Sequence, residues 1–261
     1  MNYKIGILGL GNMGRAFYQG LETILPAEQL FGYDKHGDRK EGLGIDNFAV
    51  SAKDMVGKVD VIILAVKPQS LEDLVAELGD SCQGKLIISM LAGVSVDKLQ
   101  SSLNTDRVIR CMPNLPIKVG RGVTGWIASE TAADDRELAR KIFSAFGYQV
   151  EVKEEKMLDA ITALSGSGPA YYFKLCDILE REAVKMGFSQ EESRAIAENT
   201  FQGAAELLKE EDLSSKEWVE AVSSKGGTTE AAFKSFSEDK LDEIVSRALG
   251  EARKRSEELN E

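Results

Sequence analysis

The stretch that decides the fold is YKIGILGLGNMG, residues 3–14, in which an apolar run leads straight into Gly9-x-Gly11-x-x-Gly14. The apolar run is typical of a buried strand, and apolar residues at helical spacing follow the glycines. Gly9 permits a tight turn, Gly11 lets the backbone approach a pyrophosphate, and Gly14 lets the helix pack closely on the strand. The free N–H groups at the helix start favour phosphate. The stretch therefore predicts a dinucleotide-binding strand, turn and helix.

An acid follows the next apolar run and strengthens this prediction. Asp34 comes directly after residues 30–33 and lies 20 positions after Gly14. An acid at this distance can accept hydrogen bonds from a ribose hydroxyl. The only histidine of the chain lies in the polar turn beyond it, which argues against a histidine-based catalytic relay. The basic residues of this turn are Lys35, His36, Arg39 and Lys40.

Composition places the chain in a broad class. Its 261 residues are enough for two domains. A net charge of −11 argues against nucleic acid or an anionic membrane as a partner. No signal peptide or membrane span is expected, because the first apolar run becomes a strand and the others are short. The three cysteines, Cys82, Cys111 and Cys176, are scattered without the spacing of a metal site, so we expect no metal and a cytoplasmic location.

Strand and helix patterns alternate over the first part of the chain and then stop alternating. Apolar runs such as 59–66 and 85–90 are separated by helical patterns, which predicts a doubly wound parallel sheet. From about residue 155 only helical patterns remain. The fold class predicted is α/β, with an N-terminal Rossmann-like dinucleotide-binding domain at 1–154 and an all-helical substrate-binding and dimerisation domain at 155–261.

Helix signals in the second half are specific. Ser189 with Glu192 and Ser214 with Glu217 have the spacing of capping boxes. The sequence GSGP at 166–169 predicts a kink or break in a long apolar helix. That helix needs cover on several faces, so we expect an isologous dimer. The alternative is that neighbouring helices of the same chain suffice.

A second glycine-rich stretch, AVSSKGGTTEA, occupies residues 221–231 directly before an amphipathic helix. Successive backbone N–H groups at such a helix start form an anion site that suits a carboxylate. The alternative is an ordinary loop between helices, with Thr228 or Thr229 as the N-cap. The residues by themselves leave both interpretations open.

Five motifs together carry a family resemblance. They are residues 9–14, AVKP at 65–68, MPN at 112–114, GSGPAY at 166–171 and GGTT at 226–229. In their order and spacing the chain resembles pyrroline-5-carboxylate reductase over its whole length. The resemblance implies hydride transfer from NADPH or NADH to a cyclic imine, which gives L-proline in the last step of proline synthesis. It also implies a dimer built by the helical domain, with dimers often assembling further.

The resemblance also implies the site residues. The substrate site would be lined by Ser224, Gly226, Gly227, Thr228 and Thr229, with Thr229 as the catalytic contact to the imine nitrogen. The cofactor would be bound by Leu8, Gly9, Gly11, Asn12, Met13, Gly14, Asp34, Lys35, Ala65, Val66, Lys67, Pro68, Ala92, Gly93 and Asn114. Two residues depart from the family pattern, since Lys225 stands where proline is frequent and Leu115 where threonine is frequent.

Two other classes of protein are the alternatives. A β-hydroxyacid dehydrogenase or related imine reductase shares the domain arrangement, and the hydroxyacid enzymes use a lysine on the long helix. Lys174 lies on that helix here, but we interpret it as a solvated residue. A nucleotide-sensing protein without turnover is the other alternative, and it would leave residues 224–229 without an explanation.

Cofactor choice is the last expectation. Asp34 favours NADH because it repels a 2′-phosphate, whereas the basic residues beyond it attract one. Long basic side chains can point into solvent, while Asp34 has a fixed place at the strand end. We therefore expect both cofactors to work, with NADH used at least as well as NADPH.

Overall fold

The computed structural model describes residues 3–40, 43–130 and 133–259. The chain forms two compact units, one comprising Met1–Ser167 with Ala252–Glu261 and the other Gly168–Glu251. The boundary between residues 154 and 155 inferred from sequence stays a prediction, and the compact units divide the chain at other positions. Among the described residues, no helix is long and apolar enough to cross a membrane.

The first unit contains a seven-stranded sheet in the order β2-β1-β3-β4-β5-β6-β7. All neighbouring strands are parallel except β5 and β6, which are antiparallel. The central strands are continuous apolar runs because helices cover both faces of a parallel sheet. The strands are β1 Ile5–Leu8, β2 Leu30–Tyr33, β3 Val61–Leu64, β4 Leu86–Ser89, β5 Val108–Pro113, β6 Gly122–Ala128 and β7 Gly147–Glu151.

Helices connect the strands and leave one apolar core on each face of the sheet. Ser51 and Ser95 begin two of these helices as N-caps, each accepting the N–H of the third helical residue. The helices of this part are α1 Asn12–Glu22, α2 Ala52–Lys58, α3 Leu71–Leu78, α4 Val96–Leu103, α5 Ala133–Ser144 and α6 Met157–Ile161.

The predicted break near residue 166 is present in a specific form. A π-helical turn, Thr162–Gly166, follows α6 directly, and α7 begins at Gly168. Both predicted capping boxes are also confirmed, since Ser189 and Ser214 each exchange hydrogen bonds with the glutamate three residues later. The remaining helices are α7 Gly168–Lys185, α8 Gln190–Glu210, α9 Ser215–Val222, α10 Thr228–Glu238 and α11 Leu241–Glu258.

The second unit has almost no buried interior of its own. Across Gly168–Glu251, only Gly168, Ser193 and Ala197 are buried. Large apolar side chains on α7 are exposed instead, including Tyr172 at 64% and Phe173 at 63%. The helices of this unit therefore do not cover one another in a single chain.

Candidate functional site

The glycine turn after β1 adopts the conformation that the sequence predicts. Gly9 has φ +96° and its N–H donates to the Tyr33 carbonyl at 2.8 Å. A Cβ at Gly9 would lie 2.7 Å from the Ala65 carbonyl oxygen, and one at Gly14 would collide with the Gly9 carbonyl oxygen. These two glycines therefore let β1, β3 and α1 approach closely. Gly14 has the packing role that its position in the motif predicts.

Gly11 lies at the start of α1, beside the Arg39 side chain. It is the N-cap of that helix and makes no side-chain capping hydrogen bond. A Cβ built at Gly11 would have as its nearest neighbour the Arg39 Nη1, at 3.8 Å. The first N–H groups of α1 have no acceptor within the helix, so this end can receive an anion.

A cavity of about 760 Å³ lies against this helix start. Its volume lies within the usual range for cofactor sites. Of the residues predicted to bind cofactor, the following line it: Leu8, Gly9, Gly11, Asn12, Met13, Asp34, Lys35, Ala65, Val66 and Lys67. Glycine backbone, a helix N-terminus and an acid thus converge on one cavity, which fits a dinucleotide.

Asp34 is held in a network at the end of β2. It is 5% exposed. Its Oδ2 accepts the Leu10 N–H at 2.7 Å and a hydrogen bond from Arg39 Nη1 at 3.0 Å, and its Oδ1 accepts the His36 N–H at 2.8 Å. Arg15 fastens the following turn to the glycine loop through the Arg39 and Leu10 carbonyls, at 2.6 and 3.2 Å. The negative charge of Asp34 is therefore paired with the positive charge of Arg39.

The described basic side chains after Asp34 all line the cavity. They are Lys35, His36 and Arg39, of which Arg39 forms an ion pair with Asp34. The side chain of Lys40 lies outside the described part of the structure. The assumption that basic side chains here point into solvent is thus wrong for Arg39.

Sequence reasoning missed several residues that line the cavity. One face of α3 and the residue before it supply four of them, and their spacing of three and four positions is a signal that could have found them. Burial, and then the charges of Glu77 and Asp34, raise the pKa of Tyr33, so its hydroxyl stays protonated at neutral pH. The missed residues are Leu10, Arg15, Tyr33, Ser70, Asp73, Leu74 and Glu77.

Five predicted cofactor residues do not line this cavity. Gly14 packs α1, and Pro68 begins a short 3-10 turn after β3. Ala92 and Gly93 follow β4, where Gly93 has φ +78°. Asn114 follows β5. Their role toward a cofactor stays a prediction.

Asn114 connects the end of β5 to the π-helical turn. Its Nδ2 donates to the carbonyl and Oγ of Ser165 at 3.1 and 3.0 Å, and its Oδ1 accepts the Val123 N–H at 2.8 Å. The side chain is buried. Asn114 therefore fixes the π-helical turn to the sheet.

The second predicted stretch forms a tight turn before α10. The Gly227 N–H donates to the Ser224 carbonyl at 2.9 Å, and Gly226 has φ +73°. Gly227 is the N-cap and makes no side-chain capping hydrogen bond, so the alternative in which Thr228 or Thr229 caps the helix is wrong. The N–H groups of Thr228 and Thr229 belong to the first helical turn, which has no intrahelical acceptors.

Lys174 has the surroundings of a surface residue. Its side chain is 65% exposed and forms an ion pair with Asp177 at 2.9 Å. The interpretation of Lys174 as a solvated helix residue is confirmed.

Comparison with known proteins assigns the family. Residues 155–259 match the family model described as pyrroline-5-carboxylate reductase dimerisation, and residues 4–93 match the model described as NADP oxidoreductase, coenzyme F420-dependent. A curated pyrroline-5-carboxylate reductase of Pseudomonas aeruginosa is 34% identical over 99% of this chain and 97% of its own length. This chain belongs to the pyrroline-5-carboxylate reductase family.

Solved structures of pyrroline-5-carboxylate reductases agree over the full length. The enzyme of Coxiella burnetii is 32% identical with a TM-score of 0.91 and covers 100% of both chains. The enzyme of Plasmodium falciparum, solved with NADP bound, is 28% identical with a TM-score of 0.90 and covers 100% of this chain and 99% of its own. Family membership makes this chain an NAD(P)H-dependent oxidoreductase and identifies an oligomerisation domain in its C-terminal part.

Proposed function

We propose that this chain reduces 1-pyrroline-5-carboxylate to L-proline, the last step of proline biosynthesis, by hydride transfer from NADH or NADPH to the cyclic imine. The observation that carries the proposal is the cavity at the α1 N-terminus, with Asp34 beside it, in a chain whose whole length matches this family. The nicotinamide cofactor supplies the hydride when bound. The protein has to bind, orient and polarise the two reactants.

The cofactor residues act chiefly through backbone. In this proposal the N–H groups at the start of α1 hold the pyrophosphate, and Asp34 binds the adenosine ribose. Residues 65–68, with Ala92, Gly93 and Asn114, hold the nicotinamide half. Glycine at position 11 supports the first assignment, because a side chain there would contact Arg39 and narrow the approach of a phosphate.

The substrate is bound, in this proposal, by Ser224, Gly226, Gly227, Thr228 and Thr229. The Gly226 and Gly227 N–H groups already donate within the loop, to Glu230 and Ser224. The N–H groups of Thr228 and Thr229 are thus the ones best suited to the substrate carboxylate. The Thr229 hydroxyl donates a hydrogen bond to the imine nitrogen, which makes the imine carbon a better hydride acceptor.

The organisation proposed is a dinucleotide-binding domain at 1–154 and a substrate-binding and dimerisation domain at 155–261. A homodimer, alone or in a larger assembly of dimers, would cover the exposed apolar side chains of α7. The net charge of −11 supports a protein without nucleic-acid or membrane partners. Three free cysteines support a cytoplasmic location.

The test is oxidation of NADH and NADPH with pyrroline-5-carboxylate, measured beside hydroxy acids and other imines. Proline formation with pyrroline-5-carboxylate as the best substrate is the expected result. A clear preference for a hydroxy acid would overturn the proposal. Cofactor binding without turnover of any substrate would favour the nucleotide-sensing alternative.

A further inference from the structure

The loop between α9 and α10 has the backbone of a type II turn. Ser224 and Gly227 are joined by a carbonyl-to-amide hydrogen bond of 2.9 Å, and Gly226 occupies the third position with φ +73°. A positive φ at the third position, without a positive φ at the second, is typical of a type II turn, in which proline is favoured at the second position because its ring presets φ. Lys225 stands at that second position and supplies no such restriction.

A carboxylate from the following helix holds this turn from the other side. The Glu230 Oε2 accepts the Gly226 N–H at 2.6 Å. Glu230 is the third residue of α10, whose N-cap is Gly227. A capping-box glutamate at this position would reach the N-cap amide, whereas Glu230 reaches one residue further, to the amide inside the turn.

Gly227 packs closely against Ser224 in the same loop, which leaves no room for a side chain at position 227. A Cβ there would lie 2.9 Å from the Ser224 carbonyl oxygen and would overlap the Ser224 hydroxyl. The loop is thus compact at both glycines, and the Glu230 side chain is the element that ties the turn to the helix. Its charge also interacts favourably with the positive end of the α10 dipole.

Resting on the proposed function, we infer that Glu230 is a positioning residue for the substrate. Its hydrogen bond to Gly226 fixes the turn in the shape that leaves the Thr228 and Thr229 N–H groups available to a carboxylate. Without it the turn samples other conformations, because Lys225 and Gly226 both have free backbone torsions. The free energy needed to order the turn then weakens the binding of the substrate.

The experiment measures pyrroline-5-carboxylate kinetics in Glu230→Ala, Glu230→Gln and the double variant Lys225→Pro with Glu230→Ala. Glu230→Ala is expected to raise KM for the imine about five- to tenfold with a smaller change in kcat, because a hydrogen bond to a charged group is lost at an exposed site. Glu230→Gln keeps an acceptor and is expected to retain most of the wild-type KM. Proline at 225 restricts the turn through the backbone, so the double variant is expected to recover most of the loss.

The matched control is Glu238→Ala, at the last position of the same helix, where the exposed carboxylate forms an ion pair with Lys234 at 4.0 Å. It should leave KM unchanged. NADH affinity, measured by fluorescence, should be the same in all variants. An unchanged KM in Glu230→Ala, or a defect that Lys225→Pro does not reduce, overturns the inference.

Hydrogen exchange separates this inference from the proposed function. Peptides covering residues 223–231 are expected to exchange at least several-fold faster in Glu230→Ala than in wild type. Faster exchange in a protein that does not reduce pyrroline-5-carboxylate would overturn the proposed function and leave the Glu230 contact established as a restraint on the loop. Equal exchange in the two proteins overturns the inference whatever the activity.

Discussion

The ion pair between Asp34 and Arg39 makes a quantitative prediction about cofactor choice. In wild type, Arg39 is engaged by Asp34 at 3.0 Å beside the predicted ribose site. A 2′-phosphate arriving there meets a carboxylate that repels it and a guanidinium that is already paired. We therefore expect NADH to be used at least as well as NADPH.

The perturbation is Asp34→Ser, which removes the repulsion and releases Arg39 together. Unit charges 3.0 Å apart interact by about 1.4 kcal/mol in water and about 5.5 kcal/mol at an effective dielectric constant of 20. The Arg39 side chain is 41% exposed and the Asp34 side chain 3%, so the interaction energy lies between these two values, and the exposed guanidinium keeps it nearer the lower one. About 1.5–2 kcal/mol corresponds to a change of roughly 10- to 30-fold.

The assay is the ratio of kcat/KM for NADPH to that for NADH, at equal imine concentration. Asp34→Ser is expected to raise this ratio by roughly 10- to 30-fold, chiefly through the KM for NADPH. Asp38→Ser is the matched control, since Asp38 is an exposed acid of the same turn that does not line the cavity. Adding Arg39→Ala to Asp34→Ser should abolish most of the gain, whereas adding Lys35→Ala should not.

Two results would refute this reasoning. A wild-type preference for NADPH of about tenfold or more would mean that Asp34 does not oppose the phosphate. An equal response to Asp34→Ser and Asp38→Ser would mean that only general charge matters, not the contact with Arg39.

Four further predictions concern catalysis, assembly, thiol reactivity and stability. Thr229→Ala should lower kcat by a factor corresponding to roughly 1.5–3 kcal/mol while the Kd of the cofactor changes little, and wild-type turnover would exclude the assigned role. Sedimentation at micromolar concentration should give a dimer or a larger assembly, and a monomer would contradict the proposed interface. Burial raises the pKa of Cys82 to about 11 and also raises that of Cys111, so both thiols are protonated at pH 8. Mass spectrometry after brief alkylation of the native protein should find both cysteines unmodified. Rapid labelling of either cysteine would contradict its burial. Asp135→Ala should lower the free energy of unfolding, measured by urea titration, by about 1.5–3 kcal/mol, because Arg107 loses charge-assisted hydrogen bonds of 2.7 and 2.9 Å. An unchanged midpoint of the urea transition would show that hydrogen bonds to solvent replace those to Asp135.

Local sequence signals predict several features of both units, because each of these signals depends only on residues close together in the chain. Positive φ at Gly9 and close packing at Gly14 follow from the turn itself, and the capping boxes at Ser189 and Ser214 need only four residues each. The sequence predicts a kink near residue 166, whereas the hydrogen bonds between the π-helical turn and Asn114 join residues that are far apart in the chain.

The details of the candidate site were less predictable because they depend on side-chain direction. The position of Asp34 follows from the strand that ends before it, whereas the pairing of Arg39 is a choice among many rotamers of a long side chain. The same limit applies to Glu230, whose carboxylate reaches the Gly226 amide rather than solvent. The contribution of α3 to the cavity depends on which face of that helix packs against the sheet.

The sparse interior of the helical unit has a consequence for how the protein behaves at different concentrations. A segment that buries only Gly168, Ser193 and Ala197 gains little free energy from folding alone. If a second copy of the chain buries the exposed apolar side chains, the folding of this unit is coupled to dimerisation, and its melting temperature rises with protein concentration. Newly made chains would then be exposed to proteases until they meet a partner, so the rate of synthesis would help to set how much active enzyme a cell accumulates.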